Sequence, residues 1–196
     1  MHNSKIETIF NTKKISGNFC EFVPVSISDA EFIFNLRTKR KDSFLKPTQG
    51  TALDQTRYLE KYLEELPKKE QIYYKIIDTK TKKGSGVLRI TELEKKEIFN
   101  WQSFVVKEDA SPNVALDAML MVYRIGFEYL ERNKCGPWEV DKNFEKMIKI
   151  HNFLKMAKII GEDDKYFLFA VTKEDYKNNI GRFLKMGYGK LEGLNG

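Results

Sequence analysis

Residues 97–132 read EIFNWQSFVVKEDASPNVALDAMLMVYRIGFEYLER. Residues 97–106 are rich in β-branched and aromatic side chains, which predicts a strand. Residues 107–113 are polar and end in Ser-Pro-Asn, a helix-start signal, because serine caps a helix and proline fits its first turn. Residues 114–132 predict a long helix, since apolar side chains recur at helical spacing at Leu116, Met119, Leu120, Tyr123, Phe127 and Leu130.

The segments on either side extend this unit to an α/β domain. Residues 71–78 and 87–93 predict two strands that form an antiparallel meander with 97–106. The other predicted elements are an edge strand at 19–26, helices beginning near residues 28 and 54, a strand at 137–141, a helix at 144–155, strands at 157–160 and 166–172, and a helix at 173–186. This order predicts the α/β class, with a mixed, mostly antiparallel central sheet flanked by helices. We expect an N-terminal arm at 1–18, a single domain at 19–187 and a C-terminal tail at 188–196.

Composition narrows the function classes. The chain has 196 residues, no apolar run of the ~18–20 residues that a membrane span needs, and no apolar block of a secretory signal at its start. Cys20 and Cys135 match no metal or redox spacing, so we expect no metal and two reduced core thiols in a cytoplasmic protein. The net charge of +6 favours anionic small molecules, whereas the interleaved acidic residues and the lack of an RNA-binding motif argue against nucleic acid.

From residue 22 to residue 176, the order of elements and the local sequence resemble the GNAT (GCN5-related N-acetyltransferase) superfamily. Residues 100–130 resemble the family's acetyl-CoA motif, and residues 140–163 resemble its second motif. Arg37, the loop with Lys46 and Gln55 are similar to the N-terminal half of N-acetyltransferases that act on amino-sugar nucleotides in surface-polysaccharide pathways, such as the pseudaminic-acid pathway. The family's glycine-containing loop is represented here by residues 111–115, SPNVA, without glycine.

The resemblance implies acetyl-CoA as co-substrate. The first turn of a helix leaves N–H groups unpaired, so it can hold a pyrophosphate, and the peptide-like arm of CoA can pair with a strand edge. The alternative is that Ser-Pro-Asn is only a helix cap. The cofactor residues implied are Val105, Val106, Ser111, Pro112, Asn113, Val114, Ala115 and Asn143.

The resemblance also assigns the chemistry. His151 falls where family members place a tyrosine or histidine near the thioester sulfur, so it is the candidate proton donor to the thiolate; the alternative is a histidine of an amphipathic helix. Asn100 replaces the family's frequent carboxylate base, which leaves water, His151 or Glu139 to deprotonate the amine. The candidate substrate-binding residues are Arg37 and Lys46 for a phosphate, Gln55 for a polar group, and Asn100 and Gln102 for sugar hydroxyls.

The leading hypothesis is therefore a CoA-dependent N-acyltransferase whose acceptor is a small amine, most plausibly an amino-sugar nucleotide. Two alternatives stay open. One is acetylation of protein N-termini or ribosomal proteins. The other is a GNAT-shaped binding domain without catalysis, which the glycine-free loop and Asn100 favour. A homodimer is compatible with the sequence.

Overall fold

The computed structural model describes residues 2–38 and 50–194. The helices in this part of the chain are α1 (His2–Asn11), α2 (Ala30–Thr38), α3 (Ala52–Glu65), α4 (Pro112–Arg124), α5 (Glu145–Leu154) and α6 (Lys173–Lys185). The strands are β1 (Ile15–Ser16), β2 (Cys20–Pro24), β3 (Gln71–Asp78), β4 (Gly84–Thr91), β5 (Ile98–Val106), β6 (Lys134–Asp141), β7 (Lys158–Glu162) and β8 (Tyr166–Thr172). The strands predicted at 71–78 and 166–172 are confirmed to the residue.

The strands form one sheet with the order β1-β2-β3-β4-β5-β6-β8-β7. Only β5 and β6 pair in parallel, and the other neighbours pair antiparallel, which confirms the predicted fold class. Adjacent residues of a strand point to opposite faces, so Tyr73 and Tyr74 of β3 lie in different apolar clusters. The larger cluster packs α1, α4, α5 and α6 on one face, and the smaller packs α2 and α3 on the other.

The sheet opens between β5 and β6. These strands pair only at Ile98 with Lys134 and at Phe99 with Cys135. Beyond those pairs no further strand pairing joins them within the described residues, so the facing edge of β5 is left without a strand partner there. We call the gap between β5 and β6, from residues 100 and 136 onward, the wedge. Helix α4 starts shortly after β5 leaves this gap.

Strand β5 contains a bulge beside the wedge. Val87 of β4 faces Val105, but Arg89 faces Gln102, so β5 carries one more residue than β4 over this interval. Ser103 takes up the additional length with a φ of 54°. A bulge bends its strand and interrupts the regular ladder of backbone hydrogen bonds.

Two predicted elements differ from the structure. The strand expected at an edge is β2, which lies between β1 and β3, so the edge position was wrong. Its proline is tolerated because β1 pairs only with Glu21 and Phe22, so Pro24 extends beyond that short partner. The long helix after β5 ends as an α-helix at Arg124 and continues as a π turn, Ile125–Tyr129.

Both ends of the chain pack onto the domain. Ile6 and Ile9 of α1 and Ile15 of β1 are buried in the larger apolar cluster, where an arm had been expected. Ser16 exchanges two backbone hydrogen bonds with Glu192, at 2.9 and 3.0 Å, so the expected tail runs beside β1. Apolar burial outweighs the entropy of ordering these segments only where such contacts are available.

A buried carboxylate of α4 holds both terminal segments. Asp117 accepts hydrogen bonds from the backbone N–H groups of Phe19 at 2.8 Å, Cys20 at 3.2 Å and Gly189 at 2.6 Å. Burial raises the pKa of Asp117, while these three donors favour its charged form. Asp117 therefore fixes β2 and the C-terminal segment against one turn of α4.

The remaining expectations from composition concern thiols and membranes. Cys20 and Cys135 are both buried and free, which confirms the predicted core thiols. No helix in the described ranges 2–38 and 50–194 is long and apolar enough to cross a bilayer. No cluster of potential metal ligands occurs in those same ranges.

Candidate functional site

The wedge is closed at its narrow end by Asn100. Its Nδ2 donates to the carbonyl oxygen of Pro137 on β6 at 2.9 Å, and its Oδ1 accepts from the backbone N–H of Trp101 at 2.8 Å. The side chain is 7% exposed. Because both ends of the amide are bonded, Asn100 spans the gap at the point where strand pairing stops.

The N-terminus of α4 is exposed to solvent near the end of β5. Ser111 caps the helix, since its Oγ accepts from the backbone N–H of Asn113 at 3.3 Å. The side chain of Asn113 is held from the other direction, because the Tyr188 hydroxyl donates to its Oδ1 at 2.7 Å. Ser111, Pro112 and Asn113 are exposed, whereas Val114 is buried. The predicted cap is confirmed, and its serine hydroxyl faces solvent at the positive end of the helix dipole.

An open cleft of about 370 Å³ lies between α2 and the loop that follows β5. Its lining residues are Phe32, Asn35, Leu36, Val106, Lys107, Glu108 and Asp109. Lys75 of β3 and Lys107 both place their ammonium groups 5.4 Å from the Phe32 ring centroid. This cleft leads from the last residue of β5 toward the face of the sheet that α2 covers.

His151 lies deep in an aromatic cluster. It is 1% exposed, and its ring centroid is 5.5 Å from that of Trp138 and 4.8 Å from that of Phe169. Neither ring nitrogen has a hydrogen-bond partner. Burial lowers the pKa of His151 to about 4, so the ring is neutral at pH 7. His151 therefore lies on the side of α5 that faces the core and packs against Trp138 of β6 and Phe169 of β8. Its one N–H donor and its one acceptor nitrogen are both unused.

Asn143 lies in the turn between β6 and α5. It is exposed, and its backbone N–H donates to Asp141 Oδ1 at 2.9 Å. The N-cap of α5 is Phe144, so Asn143 does not cap this helix. Within the described residues its side chain forms no hydrogen bond to the α4 terminus or across the wedge.

Polar side chains gather on the sheet face that α2 and α3 cover. Residues that face each other across paired strands share a face, so Gln102 lies beside Arg89, and Asn100 lies beside Thr91. Tyr73 faces Arg89 from β3 on that same side. Gln102 is exposed, whereas Asn100 is buried, so only the former offers its side chain freely to solvent.

The helical residues predicted to bind the acceptor flank this same face. Arg37 lies in the last turn of α2 and acts on Tyr73, since both its charge and its hydrogen bond oppose the rise in the Tyr73 pKa that burial causes. Gln55 of α3 is 8% exposed, on the side of the helix that faces the sheet. The structure thus brings Arg37, Gln55, Asn100 and Gln102 to one face, whereas Lys46 lies outside the described residues.

No family model and no curated protein matches the chain. Among solved structures it is similar to apo FdhC, described as a nucleotide-linked sugar GNAT, with a TM-score of 0.76 and 25% identity over 90% of this chain and 98% of that one. It is also similar to the ribosomal-protein-S5-alanine acetyltransferase from Vibrio fischeri, with a TM-score of 0.66, 14% identity and coverage of 83% and 98%. Mutant forms of the spermidine/spermine N-acetyltransferase SpeG from Vibrio cholerae match with a TM-score of 0.64, 14% identity and the same coverage.

This chain has the GNAT fold. The resemblance drawn from residues 100–130 and 140–163 is confirmed at the level of fold, and the sheet of this fold opens between its two parallel strands. The roles of individual residues are a separate question, because low identity transfers architecture but not side-chain chemistry.

The GNAT fold implies a CoA thioester as co-substrate, and this chain fits such a group at two places. The edge of β5 beyond Phe99 lacks a strand partner, so it can accept an amide-containing chain as an added strand. At the exposed N-terminus of α4, Pro112 has no N–H and the N–H groups of Asn113 and Val114 both donate to Ser111, so a phosphate there can be bound mainly by the Ser111 hydroxyl.

Two features of this GNAT domain had no strong signal in the sequence. The bulge at Ser103 is invisible in a run of strand-forming residues, because register depends on the partner strand. The environment of Arg89 was also missed, since its partners Tyr58 and Gln71 come from a helix and a different strand. Tyr58 did offer one clue, because a tyrosine within an apolar helical stripe has a polar end that needs a partner.

Proposed function

We propose that this protein is an N-acyltransferase that moves an acetyl group from CoA to the amine of a small acceptor, and that the acceptor is an amino-sugar nucleotide. The observation that carries the proposal is the wedge, an unpartnered strand edge that begins at Asn100 and leads to the exposed start of α4. The likeness to a nucleotide-linked sugar GNAT over 90% of the chain supports the class of acceptor.

In this proposal the chain's own residues bind and orient both reactants. CoA supplies the activated acyl thioester. The backbone of Val105 and Val106 belongs to the strand that aligns the pantetheine arm, and Ser111 with the first turn of α4 holds the pyrophosphate. Pro112, Asn113, Val114 and Ala115 shape that turn, and Asn143 contributes from the opposite side of the wedge.

Binding of the acceptor takes place on the face that α2 and α3 cover. Arg37 and Lys46 bind its phosphates, Gln55 binds a polar group, and Gln102 with Asn100 orients sugar hydroxyls. The net charge of +6 attracts such an anionic acceptor over distance. Asn100 has no proton affinity at neutral pH, so a water molecule in the wedge removes the proton from the ammonium group.

His151 donates a hydrogen bond to the departing thiolate as a neutral imidazole, and the proton that the sulfur finally takes up comes from water, which has accepted the proton of the ammonium group. The lowered pKa makes this residue a hydrogen-bond donor rather than an acid, because the neutral ring carries one N–H donor and both nitrogens lack partners. Contact with the sulfur requires movement of the surrounding aromatic side chains, since the ring is 1% exposed. The proposal therefore includes a shift of the Trp138 ring when the wedge is filled.

The experiment that tests the proposed function has two stages. Thermal shift with CoA, acetyl-CoA and longer acyl-CoAs measures whether the wedge binds the co-substrate, and stabilisation that follows RT ln(1 + [L]/Kd) is expected. Thiol-release assays then compare amino-sugar nucleotides with N-terminal peptides as acceptors. Turnover with the peptides alone would replace the proposed acceptor. If no CoA compound stabilises the protein at millimolar concentration, the proposed function is contradicted and the GNAT-shaped binding domain without catalysis is favoured.

A further inference from the structure

The guanidinium of Arg89 is held in a fixed position without an acidic partner. Its Nη1 donates to Gln71 Oε1 at 3.2 Å, and its Nη2 donates to the Tyr58 hydroxyl. Its central carbon lies 4.7 Å from the ring centroid of Tyr73 and 5.5 Å from that of Tyr58. Two ring faces and two neutral oxygens thus orient a group that is half-buried.

The charge of Arg89 is not neutralised by the described part of the chain. No carboxylate in residues 2–38 and 50–194 forms an ion pair with it, whereas Arg57 pairs with Asp54 and Arg124 pairs with Glu128. A guanidinium keeps its charge at any physiological pH, and a partly desolvated charge is costly unless it is paired. Contacts with aromatic rings return only about 0.5–2 kcal/mol.

Arg89 also has donors to spare. Arginine carries five N–H groups in a planar fork, and the contacts to Gln71 and Tyr58 use one on each terminal nitrogen. Its Nε is buried and has no hydrogen-bond partner. The terminal nitrogens of the half-buried group therefore keep N–H donors for a ligand with several acceptor oxygens, the geometry in which arginine binds phosphate most strongly.

A second positive charge acts on the same ring. Burial raises the pKa of Tyr73 to about 12, and the charges of Arg89 and Arg37 oppose that rise. Arg37 reaches the Tyr73 hydroxyl from the end of α2, so the two arginines approach one tyrosine from different elements. The Tyr73 hydroxyl therefore lies on the side of the sheet to which Arg89 and Arg37 both extend.

The position of Arg89 relates it to the wedge. It faces Gln102 of β5, and the next pair on that face joins Thr91 to Asn100. Neighbouring strands lie about 4.8 Å apart, so a chain added along the free edge of β5 would run about 10 Å from β4. That distance suits a ligand with its amine in the wedge and an anionic group farther along its length.

We propose that Arg89 is a specificity-determining residue that binds a phosphate group of the acceptor, and that it thereby selects anionic amines over neutral amines and polyamines. The inference rests on the proposed function, because it concerns the acceptor of the same reaction. Tyr58, Tyr73 and Gln71 act as positioning residues, since they hold the guanidinium rather than contact the acceptor.

A direct test measures binding without turnover. Calorimetry in the presence of saturating CoA compares UDP with uridine, which lacks the phosphates, for the unmodified chain and for Arg89→Gln, Arg89→Lys and Arg57→Gln. We expect UDP to bind more tightly than uridine. Arg89→Gln is expected to lower the ratio of the two affinities about ten- to a hundredfold. Arg89→Lys retains part of it. Arg57→Gln is the matched control, because Arg57 is exposed on α3 and already paired with Asp54.

Turnover provides the second measurement. With an amino-sugar nucleotide as acceptor, Arg89→Gln is expected to raise KM about ten- to a hundredfold with little change in kcat, since Arg89 binds away from the reacting amine. Melting temperatures of all variants show whether they fold. If Arg89→Gln does not fold, Tyr58→Phe is used instead, because it keeps the ring and removes only the hydroxyl that orients the guanidinium, and a smaller rise in KM is expected.

The outcomes separate the two proposals. An unchanged UDP preference in Arg89→Gln overturns the inference, whether or not acyl transfer occurs. Acyl transfer to an amino-sugar nucleotide that is insensitive to Arg89 supports the proposed function and rejects the role of Arg89. An Arg89-dependent UDP preference in a protein that acylates no amine supports the phosphate site and rejects the proposed reaction. Spermidine turnover that exceeds turnover of the sugar nucleotide also contradicts the proposed selectivity.

Discussion

The side chain of Asn100 and the carbonyl of Pro137 join the two parallel strands at the point where their pairing ends, with Nδ2 2.9 Å from the oxygen. This bond crosses from β5 to β6 at the narrow end of the wedge. It uses the amide donor, which a carboxylate at the same position would lack. The residue that replaces the family's frequent base therefore has a structural reason to be an amide here.

Asn100→Asp is expected to destabilise the fold by about 1–3 kcal/mol, because it removes the donor to Pro137 and leaves two oxygens facing each other in a buried place. Denaturant unfolding at pH 7 measures the change. The stability control is Asn143→Asp, which makes the same substitution at an exposed position in the turn between β6 and α5. Equal stability of Asn100→Asp and the unmodified chain would show that the bridge contributes little.

The cap of α4 should link helix stability to CoA binding. Ser111→Ala removes the acceptor for the Asn113 N–H and is expected to cost about 1 kcal/mol of stability. Because the hydroxyl also faces the proposed pyrophosphate site, we expect roughly tenfold weaker CoA binding in calorimetry, equivalent to about 1.4 kcal/mol.

Thr172→Ala is the matched control for this change. Thr172 caps α6, where its Oγ accepts from the Asp175 N–H at 3.1 Å. Its loss should produce a similar decrease in stability and leave CoA affinity unchanged. If both variants bind CoA equally well, Ser111 is only a helix cap.

The buried imidazole predicts a pH-dependent stability. The pKa of His151 is about 4 in the folded chain, against 6.5 for the unperturbed group, and burial is its cause. The unfolded chain therefore takes up a proton first as the pH falls, so the folded state loses stability between pH 6.5 and 4. At 1.36 kcal/mol for each tenfold difference in proton affinity, the loss is roughly 3 kcal/mol.

His151→Phe should remove this contribution and flatten the stability profile between pH 6.5 and 4. It also replaces two unpartnered nitrogens by an apolar ring beside Trp138 and Phe169, so the stability at pH 7 should not fall by much. Urea unfolding at several pH values measures both effects.

The same variant tests the hydrogen bond to the departing thiolate. If His151 donates that bond, His151→Phe lowers kcat about ten- to a hundredfold while CoA affinity stays within a factor of about two. A stopped-flow or steady-state assay of thiol release gives kcat, and calorimetry gives the affinity for CoA. Unchanged turnover would remove His151 from the mechanism and leave it as a core residue of α5.

Local pattern was sufficient for much of the fold. The strands at 71–78 and 166–172 follow from runs of β-branched and aromatic residues, and the start of α4 follows from Ser-Pro-Asn. Helix α1 was not predicted, although Ile6 and Ile9 are three residues apart and both buried. A single short apolar pair in a polar segment indicates a helix only when the surface that it covers is known.

The candidate site was predictable in part. Arg37, Gln55, Asn100 and Gln102 come from elements far apart in sequence, and the structure brings them to one face of the sheet. The role of each residue, like the expected homodimer, stays a prediction. The burial of His151 could not be read from α5 alone, because helical spacing shows which residues share a stripe but not which stripe another element covers.

By itself the sequence determined which segments become strands and helices, their order, and the strand, loop and helix unit of residues 97–132, because these depend on local periodicity and capping. Only the tertiary structure decided where β5 and β6 separate, that Arg89 has no acidic partner in the described chain, and that His151 is neutral. Those properties depend on register, on solvent access and on charges from remote segments, which no local pattern encodes.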